Sequence, residues 1–195
     1  AAAVLCEVGG DAALPYPLAS VLVRDADGRP TAVVPSGRPL VDHGDLFPRW
    51  RVASPVGDGG IAAGATERLD SRLGRFVAEV DVETGTDPAP ATDVDLVLTL
   101  TCWGLLGTAA RAVETATAHV TDRVQFGRPL SEFQAVRFQL ADAAVAVAGL
   151  RELATFTLWR LAVAADEART DVLALRLHAA DTVRAVLGTC QQLHG

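Results

Sequence analysis

The chain has 195 residues, half of them apolar, a mean hydropathy of +0.26 and a formal net charge of −7. That length buries a core in one or two domains, and the acidic balance argues against a nucleic-acid binder, whose phosphate contacts need a basic surface. No uninterrupted apolar run reaches the width of a bilayer, since Leu96 to Ala110 is broken by Thr99, Thr101, Gly104, Gly107 and Thr108, so no membrane partner and a cytoplasmic location are expected.

All 17 basic residues are arginine; lysine, asparagine and methionine are absent. Without a methionine at position 1, the numbering is expected to begin inside a longer chain. Cys6, Cys102 and Cys190 lie far apart with no CxxC pair, as expected for reduced thiols in core or helical positions.

In chain order, residues 1–19 read as the end of an N-terminal helical region, AAAVLCEVGG, followed by the extended ALPYPL. Residues 20–90 read as a small β-rich middle domain. Val21 to Val23, Thr31 to Val34, Trp50 to Ala53 and Phe76 to Val82 are expected strands. Asp27-Gly28, Pro35-Ser36-Gly37 and Asp58-Gly59-Gly60 are expected turns. Thr84 to Thr92, TGTDPAPAT, reads as a linker.

Residues 91–195 change period and read as a helical bundle. Asp95 to Asp122 carries no proline and suits one long helix, broken at Phe126-Gly127-Arg128-Pro129. Ser131 and Gln134 match a capping box opening a second helix. Phe133, Val136, Leu140, Val147, Leu150, Ala154, Thr157 and Leu161 then form one stripe at helical spacing. Carried to Ala165, that helix is ~50 Å long at 1.5 Å per residue. Thr170 or Asp171 is expected to cap a third helix, with a stripe of Val172, Leu175, Ala179, Val183, Val186, Cys190 and Leu193. The fold class is therefore α+β, a small antiparallel β domain followed by an up-and-down bundle, its fourth helix expected from beyond Gly195 or from a partner.

The chemistry concentrates at the first bundle corner and at the chain's end. The corner reads Asp122-Arg123-Val124-Gln125-Phe126-Gly127-Arg128-Pro129-Leu130-Ser131-Glu132-Phe133-Gln134. The third helix ends Gln191-Gln192-Leu193-His194-Gly195. Taken singly, each residue has a plain explanation. Arg123 suits a helix C-terminus, where a cation gains ~0.3–1 kcal/mol; Gln134 suits the cap, Phe126 a core plug and Gln192 a solvated helix end. Jointly they resemble the acyl-CoA dehydrogenase family. That family carries an arginine, two residues, Phe-Gly and a glutamine eleven places after the arginine, then a glutamine two residues before a Gly-Gly pair. The resemblance covers residues 93 to 195 well and earlier residues poorly, and it gives the bundle its acyl-CoA dehydrogenase type.

What the resemblance implies is specific. Flavin adenine dinucleotide (FAD) lies across a subunit contact in that family, with one subunit holding its ring and the neighbour its pyrophosphate and adenosine. Arg123, Gln125, Phe126, Gln134, Gln192, Leu193, His194 and Gly195 are the cofactor-binding residues this implies. A guanidinium fork suits phosphate oxygens, and neutral amides suit ribose and adenine edges. The activity implied is α,β-dehydrogenation of an acyl-CoA thioester, with an electron-transferring flavoprotein as redox partner. No catalytic base is found. The family's usual glutamate would lie past Gly195, and its minority position maps to Val97 or Leu98, with Asp95 the nearest acid. No metal-ligand spacing links His43, His119, His178 and His194. Asp93, Asp95, Asp166 and Glu167 read as helix-end or surface carboxylates. The flavin-ring segments of the middle domain have only Arg49-Trp50-Arg51-Val52-Ala53-Ser54 as a weak counterpart. Three readings follow: a degenerate subunit in a heterotetramer with two copies of a homologous catalytic subunit, for which the resemblance permits a bulky or steroid side-chain acyl-CoA; an incomplete record of a self-sufficient homotetramer; or a flavin-free structural bundle.

Overall fold

The structure is a computed structural model and describes residues 1–35, 39–56, 58–65 and 77–195. The turn expected at Ser36-Gly37 and the strand start at Phe76 lie outside the described residues.

The chain opens with α1 (Ala2–Asp11). The strand expected at Val21 is instead the end of a short helix, α2 (Leu18–Leu22), and only Val23 is extended. Leu18 and Ala19 pack on the helical core, so tertiary burial overrides the β-preference of Val21. Six short strands follow: β1 (Thr31–Val33), β2 (Leu40–Asp42), β3 (Arg49–Ala53), β4 (Gly59–Ala63), β5 (Val77–Glu79) and β6 (Val82–Thr84). They form two sheets, β1-β3-β4-β6 and β2-β5, antiparallel except for the parallel β1–β3 pair.

Two expectations change here. Gly59-Gly60 lies in β4 and not in a turn. A side chain at Gly59 would meet the Val52 carbonyl, and one at Gly60 the Glu83 carbonyl, so glycine permits close strand approach. The single strand expected up to Val82 is two, because the chain changes sheet across Val80-Asp81. Trp50, with no exposed surface, centres the β core with Val41, Val52, Ala62 and Val80, its indole N–H donating to the Gly44 carbonyl at 2.9 Å.

The rest is helical: α3 (Ala91–Asp122), α4 (Gln134–Val163) and α5 (Arg169–His194). The proline-free Leu/Ala-rich run forms α3, which starts four residues earlier than expected, directly after Pro90. Both striped helices bury the expected face, Val147, Leu150, Ala154 and Thr157 on α4 and Val172, Leu175, Ala179, Val183, Val186 and Cys190 on α5. The expected caps do not form. Ser131 sits in a 3-10 turn (Leu130–Glu132), and Phe133 precedes α4 with no side-chain cap. Ala168 precedes α5, leaving Asp171 in the first turn, where it takes a 3.0 Å hydrogen bond from Arg160.

α1 adds helix against α3 from within the chain. A side chain at Gly107 would meet the Glu7 carbonyl, and one at Gly10 the Gly104 carbonyl. Glycines thus let the two backbones touch, and Glu7 pairs with Arg151 of α4 at 2.5 Å. By length and composition α3 could cross a bilayer, but half of its most apolar window is buried inside the chain. All three cysteines are buried and unpaired. Burial pushes the Cys6 and Cys102 thiols up to about 11.

Two arginines join the β unit to the bundle. Arg51 of β3 is buried and pairs with Asp93 in the first turn of α3 and with Thr31. Arg169, at the start of α5, pairs with Asp95 and donates to the Pro55 carbonyl. Of the two expectations for Asp95, helix-end or surface, burial removes the second: it is a structural carboxylate near the start of α3.

Candidate functional site

Where α3 ends, Arg123 is extended (φ −79°, ψ 113°) and starts a two-stranded ribbon, β7 (Val124–Gln125) and β8 (Arg128–Pro129). Gln125 faces Arg128 across it, and the ladder continues as the Leu130 amide donates to the Arg123 carbonyl at 2.9 Å. Residues two apart on a strand share a face, as do directly opposed partners. Arg123, Gln125 and Arg128 therefore share one face, with Val124 and Pro129 on the other.

The ribbon turns through Phe126-Gly127, both with positive φ (52° and 81°), the pattern of a two-residue hairpin loop that favours Asn-Gly. Glycine accepts this conformation freely. A bulky aromatic does not, and a residue so held costs about 1–3 kcal/mol. Phe126 is also 89% exposed, so it is no core plug. Its ring meets the edge of Phe133 at 6.2 Å, and the Arg128 guanidinium lies 4.1 Å from the Phe133 centroid, a cation–π stack that fixes both side chains. Gln134, the next residue, opens α4 and is exposed.

The end of α5 arrives at this same end of the bundle. His194 stacks on His119, with centroids 4.6 Å apart and 25° between the planes. The His119 carbonyl accepts the Arg123 amide at 2.9 Å, so the stack ties the Gln192–Gly195 segment to within one helical turn of Arg123. The His194 Nδ1 lies 2.7 Å from the Cys190 carbonyl, and because a carbonyl only accepts, that nitrogen carries the proton. His194 is thus turned to α3 and to its own helix, while Leu193 packs against the helical core. Gln192 and Gly195 are exposed.

Exposed guanidiniums without ion pairs gather at this corner; among the described residues of the bundle, Arg176 of α5 is one more. Arg29, Arg51, Arg151, Arg160 and Arg169 are all ion-paired. Arg123, Arg128 and Arg137 are exposed, and none makes an ion pair among the described residues. In a chain of net charge −7, three exposed guanidiniums without ion pairs, alongside the acids Asp122 and Glu132, suit an anion. The exposed arginine forks, free amides and aromatic ring fit the adenosine diphosphate half of a dinucleotide. Sequence reasoning missed Arg128, Phe133 and His119. The Phe-Gly dipeptide was the available signal for the first two, since a two-residue hairpin sets residue 128 opposite residue 125.

Other residues weighed for chemistry have structural surroundings. Val97 and Leu98 are buried in apolar core, and Asp95 is held by Arg169. Trp50 is sealed in the β core and offers no face to a flavin ring. Among the described residues no group of histidine, cysteine or carboxylate side chains could hold a metal ion.

Comparison with known proteins agrees with the bundle. Residues 99–195 match the model of the acyl-CoA dehydrogenase C-terminal domain. The chain is 28% identical over 130 residues to the acyl-CoA dehydrogenase IpdE2 of Mycolicibacterium smegmatis, covering 67% of this chain and 39% of that protein. It spans about two fifths of the length of the curated relatives it matches. Its fold is similar to the Tcur3481–Tcur3483 steroid ACAD (TM-score 0.76, 24% identity, covering 100% of this chain and 69% of that one). The ChsE4–ChsE5 complex from Mycobacterium tuberculosis is similar too (TM-score 0.75, 21% identity, covering 100% and 69%). The chain belongs to the acyl-CoA dehydrogenase family.

Proposed function

We propose that this chain is the adenosine-side subunit of an FAD-dependent acyl-CoA dehydrogenase, lending its bundle corner to a flavin whose ring is held by a homologous catalytic partner. Arg123 would take the pyrophosphate, Phe126 would lie against the cofactor, and Gln125, Gln134 and Gln192 would serve ribose and adenine. Leu193, His194 and Gly195 would shape the segment that carries Gln192. Residues 1–19, 20–90 and 91–195 would be the end of an N-terminal helical region, the middle domain and the flavin-contacting bundle. The observation that carries this reading is the His119–His194 stack, which brings both family elements to one end of one bundle.

Dehydrogenation of an acyl-CoA thioester needs a carboxylate to take the α-proton, and bound FAD supplies the hydride acceptor. No free acid stands at the family's minority base position, since Val97 and Leu98 are core residues; in the assembly proposed here the partner would take the proton. Two similar structures, the Tcur3481–Tcur3483 steroid ACAD and the ChsE4–ChsE5 complex, each name two different chains. Both support a hetero-oligomer, for which two copies of each subunit are the stoichiometry proposed here, and the steroid ACAD supports a bulky or steroid side-chain acyl-CoA as substrate. An electron-transferring flavoprotein would take the electrons. Exposed Phe138, Val145, Phe156, Trp159 and Val163 along α4 give a partner apolar surface to cover.

A second reading rests on coverage, since the chain spans 39% of IpdE2: it would be a piece of a self-sufficient homo-oligomeric dehydrogenase. Co-expression with a homologous subunit encoded beside it separates the two. The proposal expects a yellow complex and a flavin-poor chain alone. A yellow, active homo-oligomer from the full-length gene would favour the second reading, and a partner complex without flavin would leave only a structural bundle.

A further inference from the structure

Arg128 is a guanidinium that the corner's family-like pattern does not require. It lies opposite Gln125 in the ribbon and so on the face that carries Arg123. At ~3.4 Å per residue along a strand and ~5 Å between strands, the two arginine Cα atoms are about 8–9 Å apart, within reach of a shared ligand. Its side chain is not loose. The guanidinium rests on Phe133, 4.1 Å from the ring centroid, and Phe133 in turn meets Phe126 at 6.2 Å. The nearest acids in sequence, Asp122 and Glu132, are exposed and make no ion pair with it among the described residues. A cation held in place on an aromatic ring, unneutralised and beside another, is preorganised for a second anionic group.

We propose that Arg128 is the second cation of this corner and makes it prefer a diphosphate over a monophosphate. This rests on the flavin reading above, in which Arg123 meets one phosphate of the dinucleotide and Arg128 the other. Arg128 is a ligand-binding residue whose orientation depends on Phe133. Removing the ring leaves the charge in place but frees it to move.

The test uses the 195-residue chain, with ADP and AMP as probes and amide chemical shifts as the readout. ADP should perturb the 123–134 corner more strongly than AMP. Arg128→Ala should weaken ADP about tenfold while changing AMP by less than about twofold, the loss expected for one charge-assisted contact. Phe133→Leu should weaken ADP by about half as much on a logarithmic scale. Arg123→Ala should weaken both nucleotides. Loss of both nucleotides equally in Arg128→Ala, or of neither, while Arg123→Ala still loses both, would overturn the role of Arg128 alone. No response of the wild-type corner to ADP, or an Arg123→Ala variant that binds both nucleotides as wild type does, would overturn the flavin reading itself. Circular dichroism of each variant excludes loss of fold as the cause.

Discussion

The two ends of the helical bundle treat charge in opposite ways. Where α3 begins and α4 turns into α5, arginines are matched with acids: Arg51 with Asp93, Arg169 with Asp95, Arg160 with Asp171. Asp95 and Arg51 are buried there, and the pairs fasten the β unit to the bundle. At the other end Arg123, Arg128 and Arg137 stand exposed with no ion pair among the described residues, beside a phenylalanine in a conformation suited to glycine or asparagine. The first end is built for stability, because a buried charge must be paired. The second carries unpaired charge and backbone strain, a combination that belongs to a ligand site.

The largest effect should come from the paired end. Arg169→Ala leaves the Asp95 carboxylate buried without a counter-ion and should cost about 3–5 kcal/mol, read as a fall in the urea midpoint. A loss under 1 kcal/mol would mean that this end is no more structural than the other. Arg123→Ala should do the reverse. Flavin retention in the partner complex should weaken about tenfold, as for one charge-assisted contact, with the thermal midpoint and helical signal unchanged. A clear drop in midpoint would make Arg123 structural.

Strain at the corner gives a sharper contrast. Phe126→Asn places a preferred residue in the hairpin loop and should stabilise the chain by about 1 kcal/mol while reducing flavin retention. A variant that gains stability and binds flavin normally would remove Phe126 from the site. An effect confined to alkaline pH concerns the bundle between the two ends. Burial raises the Cys6 and Cys102 thiols from 9.0 to about 11. A raised folded pKa favours the neutral thiol, so that stability is fully present below pH 9 and is lost as pH rises through about 11. Denaturation midpoints from pH 8 to 11 should fall in wild type and fall less steeply in a Cys6→Ala, Cys102→Ala variant. Equal slopes would place the alkaline sensitivity elsewhere.

Much of the bundle was legible because helical periodicity and burial have one cause. Leu150, Ala154 and Thr157 are buried because they recur on the face that meets the core. Helix caps were not legible. Ser131 and Thr170 have capping chemistry, but the hairpin and the α4–α5 turn set the entry geometry. The β unit was half legible, since Gly59-Gly60 reads as a turn until a neighbouring strand explains the missing side chains. At the site, the residue types pointed to a phosphate and an adenosine. The shared face of Arg123 and Arg128 and the His119–His194 stack depend on pairings that only three dimensions supply.

The central claim is that one end of this bundle holds the adenosine half of a shared flavin. Photolabelling of the partner complex with an azido-adenine analogue of FAD, followed by peptide mapping, tests it most directly. The account expects label in this chain on peptides spanning 123–134 and 191–195, lost on competition with FAD. Label confined to the partner, or to other parts of this chain, would contradict it.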